Sequence, residues 1–163
     1  MVPSRADLTV YLERTLPAPP DAVGAAWTDP AVLSAWFGPV LSGRPRPGGT
    51  HVLQAQAGGT VTCRVLVWDE PTALEMTWAY PGEAATRVRI ALAPHPEGSR
   101  LRLAHAGHRD DNDLVNYSAG WHMYTDVLAA HLARRPPPDH DARFEELRPG
   151  YARAAGVTTR DHS

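Results

Sequence analysis

The sequence predicts an α+β fold in which a six-stranded antiparallel sheet curves around one long C-terminal helix. Two changes of hydrophobic period support this prediction. A helical period near 3.6 gives way to alternation over 51–105 and then returns over 114–134. The chain has 163 residues, of which 43% are hydrophobic, enough for one well-buried core. We therefore expect one domain over residues 1–135 and a C-terminal extension over residues 136–163.

One strand and two short helices open the predicted domain. Residues 8–16 are apolar and half-alternating, which suits a strand, and the prolines that follow cannot donate hydrogen bonds to a neighbouring strand. Pro19 and Pro20 suit the first turn of a helix, where a missing N–H costs nothing. Asp29 as N-cap and Pro30 at the first helical position begin a second helix.

Five further strands complete the predicted sheet. Apolar and polar residues alternate along five segments, which gives the sheet one apolar and one solvent-exposed face: 51–56, 60–68, 74–80, 86–92 and 101–105. Turn sequences rich in glycine and proline separate these segments. Counting the first strand, the pattern predicts an antiparallel meander of six strands.

One long helix is predicted from about Leu114 to Arg134, with Asp110, Asp111 and Asp113 as candidate N-terminal caps. Most of its apolar and aromatic residues fall within one arc: Leu114, Tyr117, Ser118, Trp121, Tyr124, Thr125, Leu128 and Leu132. This stripe is buried only if the helix lies across the apolar face of the sheet. In the resulting helix-grip fold, a strongly bent sheet does not touch the helix everywhere, so we expect a pocket between them.

The extension over 136–163 begins with a stiff run of three prolines. It continues into a short helix that Pro149 and Gly150 interrupt, and we expect its last residues to be frayed. Three apolar residues remain on the back of the long helix: Met123, Val127 and Ala130. They are either scattered apolar residues of an ordinary surface or are covered by this extension or by a second copy of the chain in a homodimer.

Composition excludes several kinds of partner and chemistry. A formal net charge of −2 gives no electrostatic reason to bind nucleic acid or an anionic membrane. All sixteen cationic residues are arginine, so lysine Schiff-base chemistry is excluded. The single cysteine, Cys63, excludes an internal disulfide, and no segment stays apolar over the ~20 residues that a membrane helix needs. With no apolar secretion-signal core, the expected location is the cytoplasm.

No cofactor and no metal ion are expected. His105 and His108 lie near a strand end, where an i,i+3 pair points in diverging directions, and the aspartates that follow are explained as helix caps. The sequence contains neither a Gly-x-Ser-x-Gly nucleophile motif nor a glycine-rich phosphate loop.

Four segments carry a resemblance to a known family. They read RTLPAPPDAVGAAWTDPAVLSAWFGP at Arg14–Pro39, GGTHVL at Gly48–Leu53, VLVWDEPTALEMTWAY at Val65–Tyr80 and SAGWHMYTDVLAAHL at Ser118–Leu132. In this order they resemble the SRPBCC (START/birch-pollen-allergen-like) superfamily, in the branch named after the C-terminal domain of the activator of the heat-shock-protein-90 ATPase.

The resemblance implies the helix-grip fold over about residues 8–135. It leaves the function open, because related helix-grip proteins include polyketide cyclases and aromatases, and the name of the branch implies binding to a chaperone. The chain departs from the family pattern at Tyr124 and Thr125, which stand where leucine is usual and make the middle of the pocket more polar.

Eight residues on inward faces are candidates for contact with a ligand. The predicted apolar wall consists of Trp36, Phe37, Trp78, Leu103 and Trp121. The predicted orienting groups are His105, Tyr117 and Thr125. Packing in the core remains the alternative for each large aromatic residue. For His105 the alternative is a hydrogen bond to a neighbouring hydroxyl.

The leading hypothesis is a protein that binds an apolar or amphipathic small molecule between the sheet and the long helix, rather than an enzyme. The first alternative is an enzyme similar to polyketide cyclases, with His105 and Tyr117 as acid–base groups in the same cavity. The second is a regulatory module that binds a chaperone, although the chain has no room for the separate N-terminal domain of the name-giving protein.

Overall fold

The computed structural model describes residues 2–4 (backbone only), 8–55 and 58–156, and it contains one eight-stranded sheet. The strands are β1 (Val2–Ser4), β2 (Thr9–Leu16), β3 (Val40–Gly43), β4 (Thr50–Ala55), β5 (Gly59–Asp69), β6 (Ala73–Trp78), β7 (Thr86–His95) and β8 (Gly98–Ala106). All neighbours are antiparallel in the order β1-β2-β8-β7-β6-β5-β4-β3. The predicted frayed end at 157–163 lies outside the described residues.

The predicted α+β helix-grip fold is confirmed, but the predicted count of six strands is wrong for the described chain. The two additional strands, β1 and β3, form the two edges of the sheet. They contain three and four residues, and β3 has an irregular register against β4. Segments this short do not show the alternation by which the six longer strands are recognised.

Alternation places the inner faces of the longer strands in one core. On β7, Val88 and Ile90 are buried, whereas the flanking Arg87 and Arg89 are exposed. Both arginines lie within 3.3 Å of Glu75 on β6, so the outer face carries ion pairs. The sheet therefore has the apolar and solvent-exposed faces that the sequence predicts.

Three helices cover the apolar side of the sheet. Helices α1 (Pro20–Thr28) and α2 (Pro30–Trp36) follow β2, and the Asp29 side chain caps α2 by accepting a hydrogen bond from the amide of Ala31 at 2.9 Å. The long helix α3 spans Asp111–Leu132 and packs against β2 and α2. The N-cap of α3 is Asp110, one of the three aspartates that the sequence offers as caps.

The extension forms a fourth helix, α4 (His140–Ala155), which packs along α3. The predicted interruption at Pro149 and Gly150 is wrong, because α4 continues through both residues. Its packing against α3 compensates for the hydrogen bond that proline cannot donate. Met123 and Val127 on the back of α3 are buried, and Ala130 is half-buried.

None of the helices within the described residues combines the length and apolarity needed to cross a bilayer.

Candidate functional site

A cavity of about 380 Å³ lies between the sheet, α3 and α4. Its wall contains residues from the end of α2, from strands β4 and β6, and from both long helices: Phe37, Ala55, Trp78, Tyr80, Asn116, Tyr117, Gly120, Trp121, Met123, Tyr124, Asp141 and Phe144. The last two belong to α4, so the extension forms part of the wall. Asp141 is exposed to solvent and marks the mouth of the cavity.

Aromatic rings form most of this wall and support one another. The Phe37 ring stacks on Tyr124 at 4.4 Å between centroids and meets Trp78 edge-on at 5.4 Å. The rings of Trp78 and Trp121 lie 5.1 Å apart. Because each ring contacts at least one other, the wall is held in place by packing that does not depend on a ligand.

A gap in the side chains of α3 contributes to the cavity. Gly120 lies in the lining, between Tyr117 and Tyr124 on the same helix. A Cβ atom added at Gly120 would meet no other atom within 4 Å. The absence of a side chain at this helical position therefore leaves space that a larger residue would occupy.

Polar side chains also line this largely aromatic space, among them Tyr80, Tyr117 and Asn116. Burial raises the pKa of both Tyr80 and Tyr117, so both hydroxyls stay protonated at neutral pH. The Tyr117 hydroxyl makes no hydrogen bond with any part of the chain that the structure describes, and it is free to bond a ligand. Asn116 is engaged, since its Oδ1 accepts a hydrogen bond of 2.9 Å from Arg148 Nε.

The Trp78 indole N–H is buried and lacks an acceptor with normal hydrogen-bond geometry among the described residues. It lies close enough to the Tyr80 hydroxyl to oppose the rise in the pKa of that group. This pair places a donor and a hydroxyl side by side at the end of β6.

Four of the eight predicted contact residues lie in the wall of the cavity: Phe37, Trp78, Tyr117 and Trp121. Two predicted wall residues lie elsewhere. Trp36 is buried, and its indole N–H donates a 2.7 Å hydrogen bond to the carbonyl of Ala26. Leu103 is buried in the core on β8. Trp36 meets the wall residue Phe37 edge-on at 5.8 Å between ring centroids, so it supports the wall from behind.

His105 also lies outside the cavity wall, and both of its ring nitrogens are engaged. The Trp121 indole N–H donates to Nδ1 at 3.0 Å, and Nε2 lies 2.6 Å from Oγ1 of Thr86. The Thr86 hydroxyl itself donates to the carbonyl of Trp78 at 2.9 Å. His105 is therefore a neutral imidazole that donates from Nε2 and accepts at Nδ1.

Burial fixes this protonation state, because it lowers the pKa of His105 well below the ordinary value. The nearby His108 lowers that pKa further, while Asp113 opposes the shift. The Tyr117 ring lies 4.8 Å from the His105 ring, edge-on, and no hydrogen bond joins the two side chains. The geometry shows a structural hydrogen-bond network.

Thr125 bonds within the protein as well. Its hydroxyl donates to the carbonyl of Trp121 at 2.7 Å and accepts from Arg14 Nη1 at 2.9 Å. Arg14 also pairs with Asp126, whose other carboxylate oxygen accepts from Arg143 Nε of α4 at 2.8 Å. This cluster of two arginines and one aspartate joins β2, α3 and α4.

Several residues of the wall were missed in the sequence analysis. Tyr80 is the next inward residue after Trp78, and Gly120 lies three and four residues from other wall residues, so periodicity could have found both. Asp141 and Phe144 carried no such signal, because their place depends on how α4 packs on α3.

Metal binding finds no basis in the described part of the chain. There, no group of three or more histidine, cysteine, aspartate or glutamate side chains could hold a metal ion. Cys63 is buried, and burial raises the pKa of its thiol to about 12.

Comparison with known proteins identifies one family. Residues 17–133 match the model of the family described as activator of Hsp90 ATPase homolog 1-like protein. This match confirms the resemblance derived from the four sequence segments. None of the curated proteins matches the chain.

Several solved structures are similar over most of the chain. The crystal structure of CalU16 from Micromonospora echinospora matches with a TM-score of 0.75 and 27% identity, over 91% of this chain and 88% of that chain. The crystal structure of MLL2253 from Mesorhizobium loti matches with a TM-score of 0.71 and 27% identity, over 78% and 98% respectively. The solution structure of the BPP1335 product from Bordetella parapertussis matches with a TM-score of 0.71 and 27% identity, over 91% and 87%.

Proposed function

Since the chain belongs to the family of activator of Hsp90 ATPase homolog 1-like proteins, we propose that it uses the helix-grip fold of this family to bind a small molecule. The ligand is apolar or amphipathic, and it occupies the cavity between the sheet, α3 and α4. The function is binding, with no catalytic step assigned.

The observation that carries this proposal is the cavity itself. Its volume of about 380 Å³ falls within the roughly 300–1,000 Å³ that is usual for small-molecule sites. Protein interiors are otherwise close-packed, and voids in a core reduce stability. A space of this size inside a wall of aromatic rings is therefore costly to maintain unless a ligand fills it.

The wall also suggests how such a ligand is oriented. The rings of Phe37, Trp78 and Trp121 offer apolar surface to the body of the ligand. The unengaged hydroxyl of Tyr117 offers a hydrogen bond to a polar atom of the ligand. Of the eight contact residues proposed from sequence, we therefore retain four as ligand contacts: Phe37, Trp78, Tyr117 and Trp121.

The alternative of acid–base catalysis by His105 gains no support from this geometry. Both ring nitrogens of His105 are used within the protein. The Tyr117 hydroxyl has a pKa raised by burial and stays protonated at neutral pH. Proton transfer by this pair would first require breaking the bond from Trp121.

The alternative of a chaperone-binding module also lacks a supporting surface. Large apolar side chains exposed in the described chain are distributed over three strands: Tyr11, Leu41, Leu66 and Val67. Stable docking surfaces in contrast present contiguous apolar patches.

Gly120→Leu tests the proposal with the fold intact. Leucine is a better helix former than glycine, and a side chain at this position projects into the cavity. We expect the neutral fluorescent probe N-phenyl-1-naphthylamine to bind wild type and to lose most of its fluorescence increase in Gly120→Leu. The thermal stability of the variant should equal or exceed that of wild type.

Gly150→Leu is the matched control, since Gly150 is an exposed position of α4 outside the cavity wall. This variant should bind the probe as wild type does. Equal probe binding by Gly120→Leu and wild type, or no binding by either, would contradict the proposal.

A further inference from the structure

We propose that the natural ligand of this cavity carries a protonated amine or another organic cation beside its apolar body. This inference rests on the proposed function, because it assigns a chemical class to the molecule that fills the same site. It is derived from the charge and the aromatic composition of the cavity wall.

The first observation is the charge of the wall. Among the residues that line the cavity, Asp141 is the only one with a formal charge. Its carboxylate lies at the mouth and makes no hydrogen bond or ion pair with other described residues. Two arginines of the same helix are already engaged and do not themselves line the cavity: Arg143 pairs with Asp126 and Glu146, and Arg148 bonds Asn112 and the wall residue Asn116.

An acidic residue in the first turn of a helix also stabilises that helix. This role alone accounts for an aspartate at position 141. It does not account for the position of the carboxylate at the mouth of an aromatic cavity that lacks any arginine or histidine in its described wall. The second observation below is independent of the helix terminus.

That second observation is the composition of the wall. The faces of tryptophan, tyrosine and phenylalanine carry negative electrostatic potential, so they attract organic cations and repel anions. Trp78, Trp121, Tyr124 and Phe37 lie within 6.4 Å of one another in successive ring pairs. A cation that enters past Asp141 therefore moves from one attractive group, the carboxylate, to another, the aromatic rings.

Negative charge also acts on two tyrosine hydroxyls of the wall, those of Tyr80 and Tyr117. The carboxylate of Glu83 adds to the effect of burial in raising the pKa of both Tyr80 and Tyr117. Arg109 opposes this effect at Tyr117, but it is paired with Asp113 at 2.9 Å. Fatty acids and other carboxylates therefore find no charged partner in the described wall, whereas an amine does.

Three probes with one aromatic body separate charge from shape: 2-naphthylmethylamine, 2-naphthalenemethanol and 2-naphthoate. We expect calorimetric titration at pH 7 to give the amine an affinity about tenfold above the alcohol, with naphthoate weakest. Equal affinities of amine and alcohol would overturn the inference and leave the proposed function standing. Failure of all three probes, together with N-phenyl-1-naphthylamine, would overturn both.

Asp141→Asn tests the assignment of the cation to one carboxylate. Because Asp141 is exposed, the fold should persist, and unchanged affinity for the alcohol verifies it. We expect the preference for the amine to fall to about threefold or less, the part that aromatic faces alone supply. An unchanged preference would overturn the assignment.

The matched control is Glu145→Gln, which removes one exposed carboxylate from the same helix outside the cavity wall. It makes the net charge less negative by one, as Asp141→Asn does, so it reports any long-range electrostatic contribution. The tenfold preference should remain in this variant. A loss equal to that of Asp141→Asn would show a general charge effect and overturn the proposed contact.

Discussion

Trp121 Nε1 donates a 3.0 Å hydrogen bond to Nδ1 of His105, and this bond joins α3 to β8 inside the core. His105 is fully buried, while the ring of Trp121 lines the cavity on its other side. The histidine thus holds a wall residue in position without contacting the cavity. Its contribution is to the stability and shape of the site.

Replacing His105 with phenylalanine should lower the free energy of unfolding by about 1–3 kcal/mol, because the indole N–H of Trp121 is left buried without an acceptor. Urea denaturation at pH 7 measures this change. His131→Phe is a suitable control, since His131 lies exposed in the last turn of α3, the helix that carries Trp121. An unchanged unfolding free energy in His105→Phe would show that the bond does not contribute.

The same histidine should make stability depend on pH. Burial lowers the pKa of His105, and also of His51 and His108. A histidine in the unfolded chain titrates near 6.5. Below that pH the unfolded state binds protons that the folded state does not, so stability is present above pH 6.5 and is lost as the pH falls.

We therefore expect the unfolding free energy of wild type to decrease between pH 7 and pH 5. Each such histidine contributes up to about 1.4 kcal/mol per pH unit. His105→Phe should be less stable at pH 7 but should show a shallower decrease, since one proton-binding group is removed. Parallel pH profiles of the two proteins would contradict a neutral His105 in the folded state.

Asp126 should control how tightly α4 is held. Burial opposes ionisation of this carboxyl, but hydrogen bonds from Arg143 and Arg14 hold its pKa below the ordinary value. Asp126→Asn removes the charge that both arginines share. We expect a loss of about 1–3 kcal/mol in stability and faster hydrogen exchange at the amides of α4.

Glu146→Gln is the control for this variant. Glu146 is the other acidic partner of Arg143, and 64% of its side chain is exposed. Exposed pairs contribute little, about 0–1 kcal/mol, so exchange in α4 should change only slightly. If both variants accelerate exchange equally, the cluster around Asp126 does not hold the helix.

Periodicity predicts the fold because long strands and long helices repeat their pattern several times. The alternation of Leu101, Leu103 and His105 places all three side chains inward, and the structure agrees. Periodicity does not identify partners across the fold. His105 bonds both Thr86 and Trp121. The first contact depends on the pairing of β7 with β8, and the second depends on which side of α3 faces the sheet.

The cavity was harder to predict than the fold. Its position depends on α4, which follows a proline-rich break and is fixed by contacts such as Asp126 with Arg143. Nothing in the local sequence of α4 shows that Phe144 reaches a space beside Gly120. Pairings between distant segments carry the missing information, and a single sequence does not display them.

Cys63 offers a chemical test of the closed core around β5. It lies on the inner face between Val61 and Val65, fully buried, and burial raises the pKa of its thiol to about 12. At pH 8 the buried thiol therefore stays protonated, and the thiolate is the reactive form. We expect iodoacetamide to leave the native protein unmodified while alkylating it fully in concentrated urea, as mass spectrometry would show. Fast alkylation of the native chain would mean that β5 opens to solvent, and the wall formed by its neighbours β4 and β6 would then be less rigid than the packing of their rings indicates.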